Sequence, residues 1–191
     1  MIYTSVLTAV VSALAAECID NTSKQAWQKL YQSSGEAGDT ASLVRAARSG
    51  EISRQDADCW VYSRLHSQLK PRHWNALVAR YSTHKAHKVE SIGALVPLIA
   101  SHAPRMFVYK AVTAWAIPKL KGAAGKRSTD MIILPSEFYD LNTWDGQGLN
   151  RTTYWRWRKG VDSVLDGMVK EALAEAEAIL MVEGVLLDVA A

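Results

Sequence analysis

Asn150, Arg151, Thr152, Thr153, Trp155, Arg156, Arg158 and Lys159 crowd four cations, an indole and three small polar side chains into ten residues. Their chemistry is recognition of nucleic acid. Arginine grips guanine edges or phosphates, and asparagine and threonine read base edges or hold phosphates. These residues need an element to present them, and the surrounding stretch Gly148–Lys159 supplies one. Gly148 suits a tight turn, where a positive φ costs glycine little. Leu149 is expected as an apolar plug in that turn. Asn150 is a good N-cap, because its side-chain oxygen can accept from an orphan amide two or three residues on. A helix starting at Arg151 places Tyr154 and Trp157 on one inward face. Arg151, Thr152, Trp155, Arg156 and Lys159 then face largely outward, and the helix N-terminus itself favours a phosphate. The pattern reads as the turn and second helix of a helix-turn-helix. The alternative is a solvated basic helix end with aromatic packing.

Charge is unevenly distributed along the 191 residues, whose net charge is only +3. Residues 1–59 are net −2, residues 60–127 net +11, residues 128–149 net −4, residues 150–159 net +4 and residues 160–191 net −6. Two basic blocks separated by an acidic one suit a nucleic-acid-binding surface. Lys126 and Arg127, in the Gly-rich loop 119–127, are further candidates for phosphate contact; an ordinary solvated loop is the alternative. Half the residues are hydrophobic, enough for a sizeable core. Cys18 and Cys59 stand far apart in no metal or redox spacing, which fits a reducing compartment and no disulfide framework.

The elements follow from periodicity and breakers. Val6, Leu7, Val10, Val11, Leu14 and Cys18 fall at helical spacing. No Lys or Arg occurs before Lys24 to make the charged region of a signal peptide, and the stretch is too interrupted for a membrane span. A short helix over 24–32 and another over 40–48 are expected, with the loop 33–39 between them. Ser53 can cap a helix running through Leu69, and Pro71 suits the first turn of the next, with Trp74, Leu77, Val78 and Tyr81 on its apolar face. A further helix is expected over 105–120, with Met106, Tyr109, Val112, Thr113 and Ala116 on one side and Pro118 to kink or end it. Ser136 to about Trp144 reads as the first helix of the helix-turn-helix, and 145–148 as its turn. Val161, Val164, Leu165, Met168, Ala172, Leu173, Ala176, Ile179 and Leu180 continue a long amphipathic C-terminal helix, suited to packing or oligomerisation. Met131–Leu134 is the one strand-like stretch. The fold class is all-α: a helix-turn-helix domain carrying an insertion, flanked by N-terminal helices and a long C-terminal helix. The expected divisions are an N-terminal helical segment at 1–50, a DNA-binding domain at 51–170 with a basic insertion at about 82–134, and the C-terminal helix at 160–191.

Catalysis and metal binding find little purchase. A nuclease needs clustered carboxylates or a histidine nucleophile, yet Glu90 is the only acid in the basic block. Asp130, Glu137, Asp140 and Asp145 follow no known spacing. There is no phosphate-binding loop motif and no Gly-x-Ser-x-Gly. Cys59, His66, His73, His84 and His87 lack the paired cysteine spacing of a structural zinc site. The expectation is a protein without enzymatic activity, cofactor or metal.

Leu149 to Trp157, Leu-Asn-Arg-Thr-Thr-Tyr-Trp-Arg-Trp, resembles the Val-Ser-Arg-Thr-Thr-Val-x-Arg-Trp type of recognition helix found in phage late-gene antitermination proteins of the Q type, which carry a sigma region-four-like helix-turn-helix. Leu69–Trp74 through Arg80-Tyr81 resembles the helix that precedes it there, and the length and the Met-Ile-Tyr start resemble a related uncharacterised phage and prophage family. Two departures stand out. The gap from Tyr81 to Ser136 is long, so something is inserted. Counting back from Gly148 puts Trp144 where a small residue is usual, so the support helix is shifted or the turn is longer. The resemblance implies a sequence-specific double-stranded DNA-binding antiterminator. It would load onto promoter-proximally paused host RNA polymerase, with sigma factor and nascent RNA as further contacts, in the cytoplasm of the bacterial host and away from membranes. The alternative is another phage helix-turn-helix protein, a small terminase subunit or a repressor, binding DNA as an oligomer.

Overall fold

A computed structural model of the chain describes residues 3–16, 54–119 and 132–186. The described residues form six α-helices: α1 (Val6–Ala16), α2 (Arg54–Gln68), α3 (Pro71–Tyr81), α4 (Lys85–Leu95), α5 (Arg105–Ala116) and α6 (Arg151–Val182). They contain no strand, and the only β-type pairing among them is an isolated bridge between Tyr3 and Leu186. The fold is all-α and includes a long C-terminal helix. No helix among the described residues is long and apolar enough to cross a membrane. The helices expected over 24–32 and 40–48, and Lys126 and Arg127, lie outside the described residues. The strand-like stretch is irregular over 132–134, and Met131 lies outside the described residues.

The chain divides into two compact units, residues 1–70 with 171–191, and residues 71–170. The second unit ends at residue 170, as does the expected DNA-binding domain, and begins at 71 where that domain was expected to begin at 51. The stretch from residue 82, expected to begin an insertion, instead builds the body of the second unit through α4 and α5. The C-terminal helix is not a separate element either. It is continuous with the helix that starts at Arg151, through Gly160 and Gly167.

In the first unit α1 packs on α2. Ala9, Val10, Ala13 and Leu14 of α1 and Val61 and Leu65 of α2 are buried, whereas Leu7 and Val11, expected on the same stripe, are exposed. The Tyr3 hydroxyl donates to the buried Asp58 carboxylate. Burial and this bond together hold the Tyr3 phenol well above its ordinary pKa. Arg64 Nε donates to Glu183 Oε1 at 2.6 Å, which pairs the buried acid at the end of α6. There Gly184 adopts φ +66°, and Gly184 N and Val185 N donate back to the carbonyls of Met181 and Leu180. This left-handed closure satisfies the last carbonyls of a helix and stops it.

In the second unit α3, α4 and α5 pack together. Pro71 opens α3 as expected. His84 caps α4, its Nδ1 accepting from His87 N at 3.3 Å. Pro97 follows the end of α4 in a 3₁₀ turn, Val96–Leu98. Helix α5 ends at Ala116, two residues before Pro118, because the residue before proline is pushed out of the helical region. Its buried side is Phe107, Val108, Ala111, Val112, Ala114 and Trp115. Val112, Thr113 and Ala116 are buried as expected, but Met106 (62% exposed) and Tyr109 (42%) face outward. Phe107 and Trp115, absent from the expected face, carry the packing instead and rotate the buried arc away from Met106 and Tyr109.

Several cations of the basic block serve the fold. The Arg80 guanidinium lies 5.1 Å from the Trp115 ring centroid and donates to the Trp115 carbonyl. Lys88 Nζ donates to the carbonyls of Ser82 (3.1 Å) and Arg80 (3.4 Å) near the end of α3. Burial, helped by the charge of Arg80, pushes the Lys88 ammonium down to about 8. The unfolded chain keeps that proton to about pH 10.4. Between these values the unfolded state binds more protons, so this group makes stability rise with pH from about 8 to about 10.4 and adds no pH dependence below 8, where both states hold the proton. Lys88→Met should flatten that part of the curve, read as the wild-type-minus-variant difference in urea midpoint across the window. Parallel slopes would show that Lys88 titrates like a free lysine.

Candidate nucleic-acid interface

Residues 136–144 do not form the expected support helix. They make two short 3₁₀ turns, Ser136–Tyr139 and Leu141–Thr143. The break falls at Asp140, which is extended and whose Oδ1 accepts from Asn142 N at 3.1 Å. Aspartate competes in this way with helical backbone bonding. Tertiary bonds then hold the segment: Trp144 Nε1 donates to Phe138 O at 2.6 Å, Lys110 Nζ to Thr143 O at 2.9 Å, and the Tyr139 hydroxyl to Ile117 O at 2.7 Å. Trp144 is buried, which explains a large side chain where a helix-turn-helix carries a small one. Among the described residues no α-helix immediately precedes the turn, so the two-helix form of the motif is absent there.

The turn and the start of α6 match their sequence signals. Gly148 takes φ +63°, the left-handed region that L side chains rarely adopt. Asn150 caps the helix, its Oδ1 accepting from Thr152 N at 3.0 Å and its carbonyl from Thr153 N at 2.8 Å. Leu149 is not the expected plug: it is exposed. Its amide instead donates to the Tyr154 hydroxyl at 2.8 Å, and that hydroxyl faces Asp145 Oδ2 at 3.4 Å. A phenol one helical turn on therefore fastens the loop that a leucine side chain was expected to seal.

Tyr154 is 1% exposed, and Trp157 is half-buried. Both pack on Phe107, with ring centroids 5.7 and 5.4 Å away, and Trp144 joins the same ring at 5.2 Å. Aromatic pairs at this separation in tilted or offset geometry add to simple burial. Phe107 is thus the floor beneath the start of α6. No spacing signal reveals it, since it lies 47 residues before Tyr154.

With Tyr154 and Trp157 anchored, Arg151, Thr152, Trp155, Arg156 and Lys159 are exposed together on the opposite side, and Thr153 is half-buried at its edge. Lys159 Nζ lies 5.0 Å from the Trp155 ring centroid. Asn150 is exposed at the tip, with its side-chain oxygen engaged in the cap. Arg158 leaves the candidate set. Its Nε donates to both oxygens of Asp162 at 2.9 Å, and its guanidinium lies 5.2 Å from the Trp144 ring centroid. At helical spacing Arg158 falls between the two faces, and a carboxylate one turn on draws it inward. Burial raises the Asp162 pKa, with Arg158 opposing the shift. Arg158→Ala should therefore cost about 0.5–1.5 kcal/mol in stability, as a partly exposed ion pair and cation–π contact would. If the α6 face binds DNA, affinity should stay within about twofold, because this guanidinium is already engaged by Asp162 and Trp144. Filter binding beside thermal unfolding checks this; a large affinity loss at unchanged stability would return Arg158 to the interface.

No protein-family profile, curated protein or solved structure is significantly similar to this chain.

Proposed function

We propose that this protein binds double-stranded DNA sequence-specifically through the first two turns of α6, and acts as a phage transcription antiterminator on host RNA polymerase in the bacterial cytoplasm. One observation carries the DNA reading. Arg151, Thr152, Trp155, Arg156 and Lys159 share one exposed face, and a buried aromatic cluster fixes the helix behind them. A capped helix end with outward arginines fits a major groove or its phosphates. Without an adjacent support helix, the 3₁₀ segment and α5 do the positioning that a first helix does elsewhere. The antitermination role rests on the resemblance of 149–157 to the Q-type recognition helix.

Transcription by purified host polymerase, on a template carrying the neighbouring phage promoter and a downstream terminator, tests both parts. Readthrough that needs the protein and the upstream DNA is expected. Unchanged termination with a clear footprint would overturn antitermination and leave a DNA-binding repressor or packaging protein. Neither effect would overturn both.

A further inference from the structure

Trp155 is the one large apolar side chain within the cationic face, and it is 53% exposed. Burial does not account for it, since Tyr154 and Trp157 carry the packing of this turn. Residues four apart stack along one ridge of a helix, so Arg151, Trp155 and Lys159 stand in a row. The row spans about 12 Å along the axis, with a cation at each end and the indole between them. Arg156 adjoins the ring on the next row. The Lys159 ammonium lies 5.0 Å from the indole centroid, so a base that stacks there displaces it from the ring and frees it for a phosphate. An exposed indole bracketed by phosphate-binding cations is the arrangement that takes a nucleobase by stacking and holds its flanking phosphates. A base inside a duplex presents only its edge, so the base that stacks must be unpaired.

We propose that Trp155 is a stacking platform for one unpaired nucleobase, with Arg151 and Lys159 holding phosphates on either side of it, so that the α6 face prefers DNA with a locally opened or extrahelical base over perfect duplex. The proposal rests on the DNA-binding reading above and adds the structural state of the DNA that is recognised.

The test uses the full chain and two otherwise identical duplexes, one perfect and one carrying a single extrahelical purine replaced by a fluorescent analogue. The wild type should bind the bulged duplex about tenfold more tightly or better, as one base–aromatic stack implies, and should quench the analogue. Trp155→Phe should keep part of the preference. Trp155→Ala should abolish both the preference between the two duplexes and the quenching. Because Trp155 is exposed, both variants should fold, which circular dichroism verifies. Equal affinity for the two duplexes, an unquenched analogue, or a preference that survives Trp155→Ala overturns the stacking role and leaves the duplex reading intact. Binding to the bulged but not to the perfect duplex supports stacking and overturns the duplex reading. Binding to neither overturns both.

Discussion

Phe107→Ala should destabilise the protein by about 3–5 kcal/mol, the usual cost of truncating a fully buried aromatic ring. Phe107 has no exposed surface, and three rings, Trp144, Tyr154 and Trp157, pack against it. Truncation deprives each of these rings of an aromatic partner, a penalty beyond simple burial. The cavity would open beneath the first turns of α6, so the damage should be local as well as global. Amide exchange should speed up at Leu149, whose N–H is held by the Tyr154 hydroxyl, and in the first turns of α6. Tyr154→Phe separates these effects. It keeps the ring and removes only the hydroxyl, which meets Leu149 N and Asp145 Oδ2, and should cost about 1–3 kcal/mol, the net value of two hydrogen bonds at about 0.5–1.5 kcal/mol each. Urea unfolding monitored by tryptophan fluorescence reads the two stability costs, and hydrogen exchange reads the local opening. A Phe107→Ala cost below about 1 kcal/mol would mean that the cluster collapses around the gap, and that α6 is fixed by something other than this ring.

The second large effect is on binding. The double variant Arg151→Ala, Arg156→Ala should weaken specific DNA binding by about 2–6 kcal/mol if each arginine reads a base edge, at about 1–3 kcal/mol apiece. The two residues are close, so their effects need not add, and both single variants are required. Salt dependence tells the roles apart. An arginine on a phosphate lowers the slope of log affinity against log salt by about 1 and weakens all sequences alike; one on a guanine edge relaxes specificity at a single base pair. Both side chains are exposed, so stability should change by no more than about 0.5 kcal/mol. A double variant that binds specific DNA like the wild type would remove the α6 face from the interface altogether.

The helical class, the position of most helices and the local chemistry at the start of α6 are legible along the chain alone. Pro71, Pro118, Gly148 and Asn150 act within a few residues of themselves, through fixed φ, a missing amide, a tolerated positive φ and a short side-chain acceptor. Such signals need no partner, so they read directly from the order of residues. The inward placing of Tyr154 and Trp157 is equally legible, because helical periodicity sorts side chains before any neighbour is known. Other features depend on residues far apart in sequence, and there the fold has the last word. Whether 136–144 coils into an α-helix turns on Asp140 and on bonds from Lys110 and to Ile117, which outweigh the apolar spacing of Phe138, Leu141 and Trp144. The arc of α5 that faces inward is set by Phe107 meeting rings 37 to 50 residues away, and no periodicity within α5 encodes that choice. The fate of each cation follows the same rule. Arg156 is exposed, whereas Arg158, two residues on, lies within reach of both Asp162 and Trp144. Charge alone cannot separate the two, because a guanidinium goes where the nearest carboxylate and aromatic face are, and only the fold places those.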